Sequence, residues 1–220
     1  MPITRVLCLT GTIVGAALLS ACSGESPVAP ASVASQGVGT GGTPDLPATQ
    51  GGPEYQDVST QGGGGVYAVD GASLIRQPNG LQARMSIPTP QPGTYNYPAG
   101  KVPGHPEVFT LWIFVFNYPD LCTAPCDMND LGVDKPAQGG AYNGGGHAVG
   151  GERLTIAGRI RVGEAPFDHP VITMATLQSP ETAEVHLAIA PHGALDPSTL
   201  PDEFRLPTGT PAFWWAAIFK

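Results

Sequence analysis

Val108-Phe109-Thr110-Leu111-Trp112-Ile113-Phe114-Val115-Phe116 is a run of nine residues in which only Thr110 is not apolar. A half-buried strand alternates polar with apolar residues, and a surface helix repeats every 3.6 residues or so; this run does neither. Its aromatic and β-branched side chains suit a pleated strand, and it is short for a buried helix. A strand with no polar face has to be covered from both sides. The run therefore predicts a central strand with the rest of the fold built around it.

Outward from that strand, most apolar patterning has a period of two. On the N-terminal side, Leu81, Ala83, Met85 and Ile87 alternate with Gln82, Arg84 and Ser86. With Ala72–Gln77 and the intervening Pro78-Asn79-Gly80 they read as a β-hairpin, because Asn-Gly accepts the backbone angles of a tight turn. Val66–Asp70 reads as a strand before it. Prolines between positions 88 and 106 make that stretch an irregular loop. On the C-terminal side, Arg153–Val162 predicts a strand with Leu154, Ile156, Ile160 and Val162 inward and Arg153, Thr155, Arg159 and Arg161 in water. Gly158 within it suggests a bulge or a close neighbouring backbone. Val171–Leu177, Ala183–Ala190 and Ala212–Phe219 read as further strands. In the second of these, Val185, Leu187 and Ile189 point inward and Glu184 and His186 outward. Asp196–Phe204 suggests a short helical turn.

Gly139 to Gly151 holds seven glycines in thirteen residues and lacks the Lys-Ser/Thr of a phosphate-binding loop, so a surface loop is expected. The fold class that follows is all-β: a single β-sandwich of about seven or more mostly antiparallel strands. Residues 66–220 form this domain.

The chain before it has a different character. Arg5, the apolar stretch Val6–Leu19 and the small residues Ser20-Ala21 are the three parts of an export signal. Leu19-Ser20-Ala21-Cys22 resembles the lipobox of bacterial lipoproteins. That resemblance implies cleavage before Cys22, a signal peptide over 1–21, and diacylglycerol and palmitate on the cysteine. Residues 22–65 then form a tether. Positions 23–64 contain no Lys, Arg, Phe, Trp or Ile, and 15 of the 42 are Gly or Pro. Such a segment buries too little apolar surface to offset its ordering entropy, and as a coil it spans about 35 Å. The partner implied is a membrane, reached through the lipid on Cys22, and the location is the exported side of the cell envelope (the outer membrane in a Gram-negative host).

Cysteine usage agrees with export. Cys8 leaves with the signal and Cys22 is lipidated, so Cys122 and Cys126 form an even pair in an oxidising compartment, where a disulfide is expected. Their C-x₃-C spacing is not that of a zinc ribbon or a thioredoxin-like site. The whole chain carries −8; with Arg5 removed, nine basic against 18 acidic residues give the mature chain −9. An acidic chain without basic clusters along its sequence argues against nucleic acid and against electrostatic docking on anionic lipid.

Catalytic signatures are absent: there is no Gly-x-Ser-x-Gly, His-Glu-x-x-His, Walker or dinucleotide-binding motif. No catalytic residue is assigned and no cofactor is required. Asp127-Met128-Asn129-Asp130-Leu131-Gly132 begins like a calcium loop, but position five is Leu and position twelve is Gln138, so an Asx-type turn is the better account. An alternative reading rests on His147, His186 and His192. Convergence of these at one edge of the domain would make a Cu or Zn site.

ThrLeuTrpIlePheValPheAsnTyrProAspLeuCys, GlyHisAlaValGlyGly and AlaGluValHisLeuAlaIleAlaProHisGly together resemble a group of uncharacterised secreted bacterial β-sandwich proteins, and more distantly CHRD-type sandwiches. The first resemblance covers roughly residues 66–220 and implies a fold but no reaction. The expectation is a lipid-anchored envelope module that binds an envelope protein or glycan through the loops around Cys122–Cys126 and Gly139–Gly151.

Overall fold

A computed structural model describes residues 51–61, 63–90, 106–123, 125–149, 151–205 and 214–220. The segment read as a signal peptide, Cys22 and most of the segment read as a tether lie outside these residues. The described residues form eight strands: β1 (Glu54–Thr60), β2 (Val66–Gln77), β3 (Gly80–Pro88), β4 (Glu107–Phe116), β5 (Gly139–Val149), β6 (Arg153–Arg161), β7 (Glu184–Ala194) and β8 (Trp215–Phe219). They make one antiparallel sheet in the order β5-β4-β7-β8-β1-β2-β3-β6. The two ends of this order come back together. A Cβ on Gly158 of β6 would lie 2.5 Å from the carbonyl oxygen of Gly144 on β5. Gly158 is a glycine because another backbone passes there.

The long apolar run is β4, and it is covered on both faces. Phe109, Leu111, Ile113 and Val115 enter the inner core with Leu74, Met85, Ile87, Leu154, Leu187, Ile189 and Phe219. Trp112, Phe114 and Phe116 enter a second core with Leu131, Ala141, Met174, Ala188 and Trp214. The inner core lies within the curled sheet. The outer one is roofed by two excursions of the chain, residues 117–138 and 163–183.

Several elements differ from the sequence reading. β1 lies inside the segment read as tether. Only Val58 in it is buried, and the strand is fixed by its ladders to β2 and β8 rather than by hydrophobicity. Val66–Asp70 and Ala72–Gln77 are one strand, β2, kinked at Asp70 (φ 47°), whose N–H donates to Asp57 Oδ1 at 2.9 Å. In the hairpin Gln77 pairs with Gly80, so the turn residues are Pro78 and Asn79.

Gly139–Gly151 is largely strand β5 rather than loop. Its glycines serve close packing: a Cβ on Gly140 would lie 2.1 Å from the Ala175 carbonyl oxygen, and one on Gly146 would meet the Phe204 ring. Val171–Leu177 has no strand ladder; it crosses the outer face on single bonds such as Ala175 N–H to Gly139 O, 3.1 Å. Val162, expected inward, is past the end of β6 and 43% exposed. The helical turn is the 3₁₀ segment Asp202–Phe204, which begins after Pro201.

Candidate functional site

The two excursions over the outer face of β4, β5 and β7 form a clamped layer. Asn117, the first residue after β4, is buried and holds both of them. Its Nδ2 donates to the carbonyls of Gln138 (2.8 Å) and Thr176 (2.9 Å), and its Oδ1 accepts from Gln178 N–H (2.8 Å). Tyr142 of β5 does the same for the second excursion: its hydroxyl accepts from Leu177 N–H at 2.7 Å and donates to Glu164 O at 3.3 Å. Burial raises the Tyr142 pKa, which keeps the phenol protonated as a donor. Neither role has a sequence signal beyond Asn117 standing at the end of the apolar run.

Within the first excursion, Cys122 and Cys126 are disulfide-bonded. A ring this small contributes about 2 kcal/mol in the chain-entropy model, so its main effect is to fix the loop's shape. The calcium-like stretch is a capped 3₁₀ turn, Met128–Asp130. Asp127 Oδ1 accepts from Asn129 N–H at 2.7 Å, and Asp130 Oδ2 accepts from Asp127 N–H at 3.0 Å. These carboxylates are engaged as caps. In the second excursion Phe167 sits edge-on to Trp112 at 5.3 Å, and His169 Nδ1 accepts from the N–H groups of Val171 and Ile172.

Between the excursions runs an open groove of about 490 Å³ lined by Met128, Leu131, Val133, Val171 and Ile172, with Asp134 and Lys135 among its polar members. Three of its large apolar side chains stand exposed, Met128, Val133 and Val171, the last 85% exposed. A fixed layer with a concave, partly apolar surface is an arrangement suited to binding.

The histidines do not converge. His186 and His192 both lie on β7, which runs on to Ala194, so six residues separate them by roughly 20 Å along an extended chain. A strand ending at Ala190 would place His192 just past its end, but β7 continues through it. His192 instead occupies a bulge between the pairs Phe109–Pro191 and Val108–Gly193 and is 2% exposed. His147 is exposed on β5. Among the described residues no three His, Cys, Asp or Glu side chains are grouped to hold a metal ion.

His186 has a different partner. Its Nε2 is 2.6 Å from Glu184 Oε1, and its ring lies 5.1 Å from that of Phe116. Burial lowers the imidazole pKa, opposed by the Glu184 carboxylate. Both side chains were expected in water. They are covered because the outer face of β7 is a packed face.

Comparison with protein-family models, with curated proteins and with solved structures finds no match for this chain.

Proposed function

We propose that this protein is a lipid-anchored binding module of the bacterial cell envelope. It is exported by its signal peptide, held by acyl chains on Cys22, and presented to an envelope partner on the segment that follows. Two acyl chains suffice for stable anchoring. The frame acts as a β-sandwich does: β2, β3 and β6 contribute Leu74, Met85 and Ile156 to the same inner core that receives Ile113, Leu187 and Phe219 from β4, β7 and β8. The observation that carries the binding role is the partly apolar groove on the clamped excursions, where Met128, Val133 and Val171 are exposed beside Lys135 and Asp134.

The test has two parts. Radiolabelled palmitate is expected to enter the chain in its organism of origin and to be lost in Cys22→Ala. A photo-crosslinking amino acid at Met128 or Val171 is expected to give a discrete envelope adduct, whereas the same group at Tyr55, exposed on β1, gives none. Labelling without any adduct at the groove would overturn the binding site; absence of labelling would overturn the anchor.

A further inference from the structure

The pairing of β3 with β6 assembles a basic surface that cannot be seen along the chain. Gly80 pairs with Arg161, Gln82 with Arg159, Arg84 with Ala157 and Pro88 with Arg153. Opposite residues, and alternate residues along a strand, share a face. Arg84, Arg153, Arg159 and Arg161 therefore stand on one outer face, and all four are exposed. They are four of the ten basic residues of a chain whose net charge is −8.

Arg153 is held locally, donating to Ser86 O at 2.9 Å and Ser86 Oγ at 3.1 Å. The other three form a cluster. Arg159 and Arg161 are about 7 Å apart along the strand, and Arg84 is diagonal to Arg159 at about 7–8 Å. None of the three is in an ion pair with a described carboxylate. The nearest acid in sequence, Glu164, uses Oε2 to accept from the backbone N–H of Arg161 at 2.9 Å. Like charges so placed repel one another, and an oxyanion lying among them would relieve that repulsion. Two shallow grooves, of about 150 Å³ and about 570 Å³, are both lined by Arg159 and Arg161.

We propose that the β3–β6 face binds an acidic polysaccharide, whose carboxylate, sulfate or phosphate groups lie across Arg84, Arg159 and Arg161. The guanidinium fork pairs with each of these oxyanions in two-pronged fashion. The exposed Gln82 amide, opposite Arg159, offers both a donor and an acceptor to sugar hydroxyls. The same face argues against two other polyanions. Among the described residues of β3 and β6, the remaining outward side chains are those of Gln82, Ser86, Pro88, Thr155 and Ala157, with no aromatic or long apolar side chain to enter a bilayer. Nor do these described residues offer an aromatic ring on which a nucleic-acid base would stack.

The test uses the purified full chain, with heparin and polygalacturonate as probes and neutral dextran as the blank. Both acidic polymers are expected to bind, more weakly as salt rises, and dextran is not. The combined variant R84Q/R159Q/R161Q is expected to weaken heparin binding at least about tenfold, while R205Q, an exposed arginine beside its own Asp202, leaves it unchanged. Should the triple variant fail to fold by circular dichroism, R84Q and R161Q alone are each expected to lower the salt dependence of binding. Unchanged binding in the triple variant, or unchanged salt dependence in both single ones, overturns the proposal. So does binding to phosphatidylglycerol vesicles without binding to either acidic polymer, which would make the face a membrane contact.

Discussion

Glu184 and His186 are bonded to each other through side chains on one face of β7, Oε1 to Nε2 at 2.6 Å, with 8% and 14% of their side chains exposed. Because burial lowers the His186 pKa, the imidazole is the neutral donor to a buried carboxylate at neutral pH. Glu184→Ala leaves that ring without its acceptor and is expected to cost about 2–3 kcal/mol in urea unfolding, whereas Glu184→Gln, which keeps an acceptor, costs about 1 kcal/mol. Equal losses in the two variants would show that the bond is not what stabilises this face.

His192 sets a pH dependence. Burial lowers its pKa from 6.5 to about 4, so the native ring is neutral where the unfolded chain's imidazole takes up a proton. The unfolded state binds more protons between these values, and stability therefore falls as pH drops through that window. Its contribution is complete above 6.5 and diminishes by on the order of 3 kcal/mol at about pH 4. His186 acts in the same direction. The stability advantage of the natural chain over His192→Gln is expected to shrink steadily through this range; a constant difference would show that His192 does not titrate between the states.

Gly140 is where the second excursion touches the sheet. A methyl group there would sit 2.1 Å from Ala175 O, so Gly140→Ala has to push residues 174–176 off β5. A loss of about 1–3 kcal/mol is expected. Gly51→Ala, in open space, is the control and should be neutral. Faster amide exchange at Ala175 and Leu177 in Gly140→Ala would locate the damage, while unchanged exchange would disprove the contact.

Arg76 joins distant parts of the chain. Its Nε meets Glu54 Oε1, and its Nη1 donates to the carbonyls of Pro180 and Ala183, each at 2.7 Å. It thus ties β1 and β2 to the turn that enters β7. Arg76→Ala is expected to cost about 2–3 kcal/mol, chiefly because it leaves two carbonyls of buried residues without a donor, whereas Glu54, with 39% of its side chain exposed, turns to water. Lysine at this position should rescue only part of the loss, having one nitrogen where Arg76 uses Nε for Glu54 and Nη1 for both carbonyls. Exposed Arg84→Ala should change stability by no more than about 0.5 kcal/mol.

What could be read from the sequence follows from how local each cause is. β4 was legible because its lack of any polar face already states that it is covered twice. β3 and most of β6 were legible through alternation. β5 was not, because its glycines answer to Ala175 and Phe204, residues more than thirty positions away that leave no mark on local composition. β1 carries one buried apolar side chain and owes its place to ladder bonds with β2 and β8. The candidate site was partly legible: the disulfide follows from the even pair of cysteines left after Cys8 and Cys22, and the capped turn from the Asp127-Met128-Asn129-Asp130 pattern, but the groove needs Val171 brought beside Met128. The arginine face is the extreme case, since Arg84 and Arg159 become neighbours only through strand pairing.

The two-sided covering of β4 has a spectroscopic consequence. Trp214 stacks on Phe114 in the outer core, while the adjacent Trp215 packs against Phe109 and Tyr67 in the inner one. Trp112 joins the outer group through Phe167. Two indoles therefore sense the roof of loops and one senses the interior of the curled sheet. A ligand that lifts or settles the loops would change the emission of the first two and leave the third as an internal reference, so this protein carries its own two-channel fluorometer.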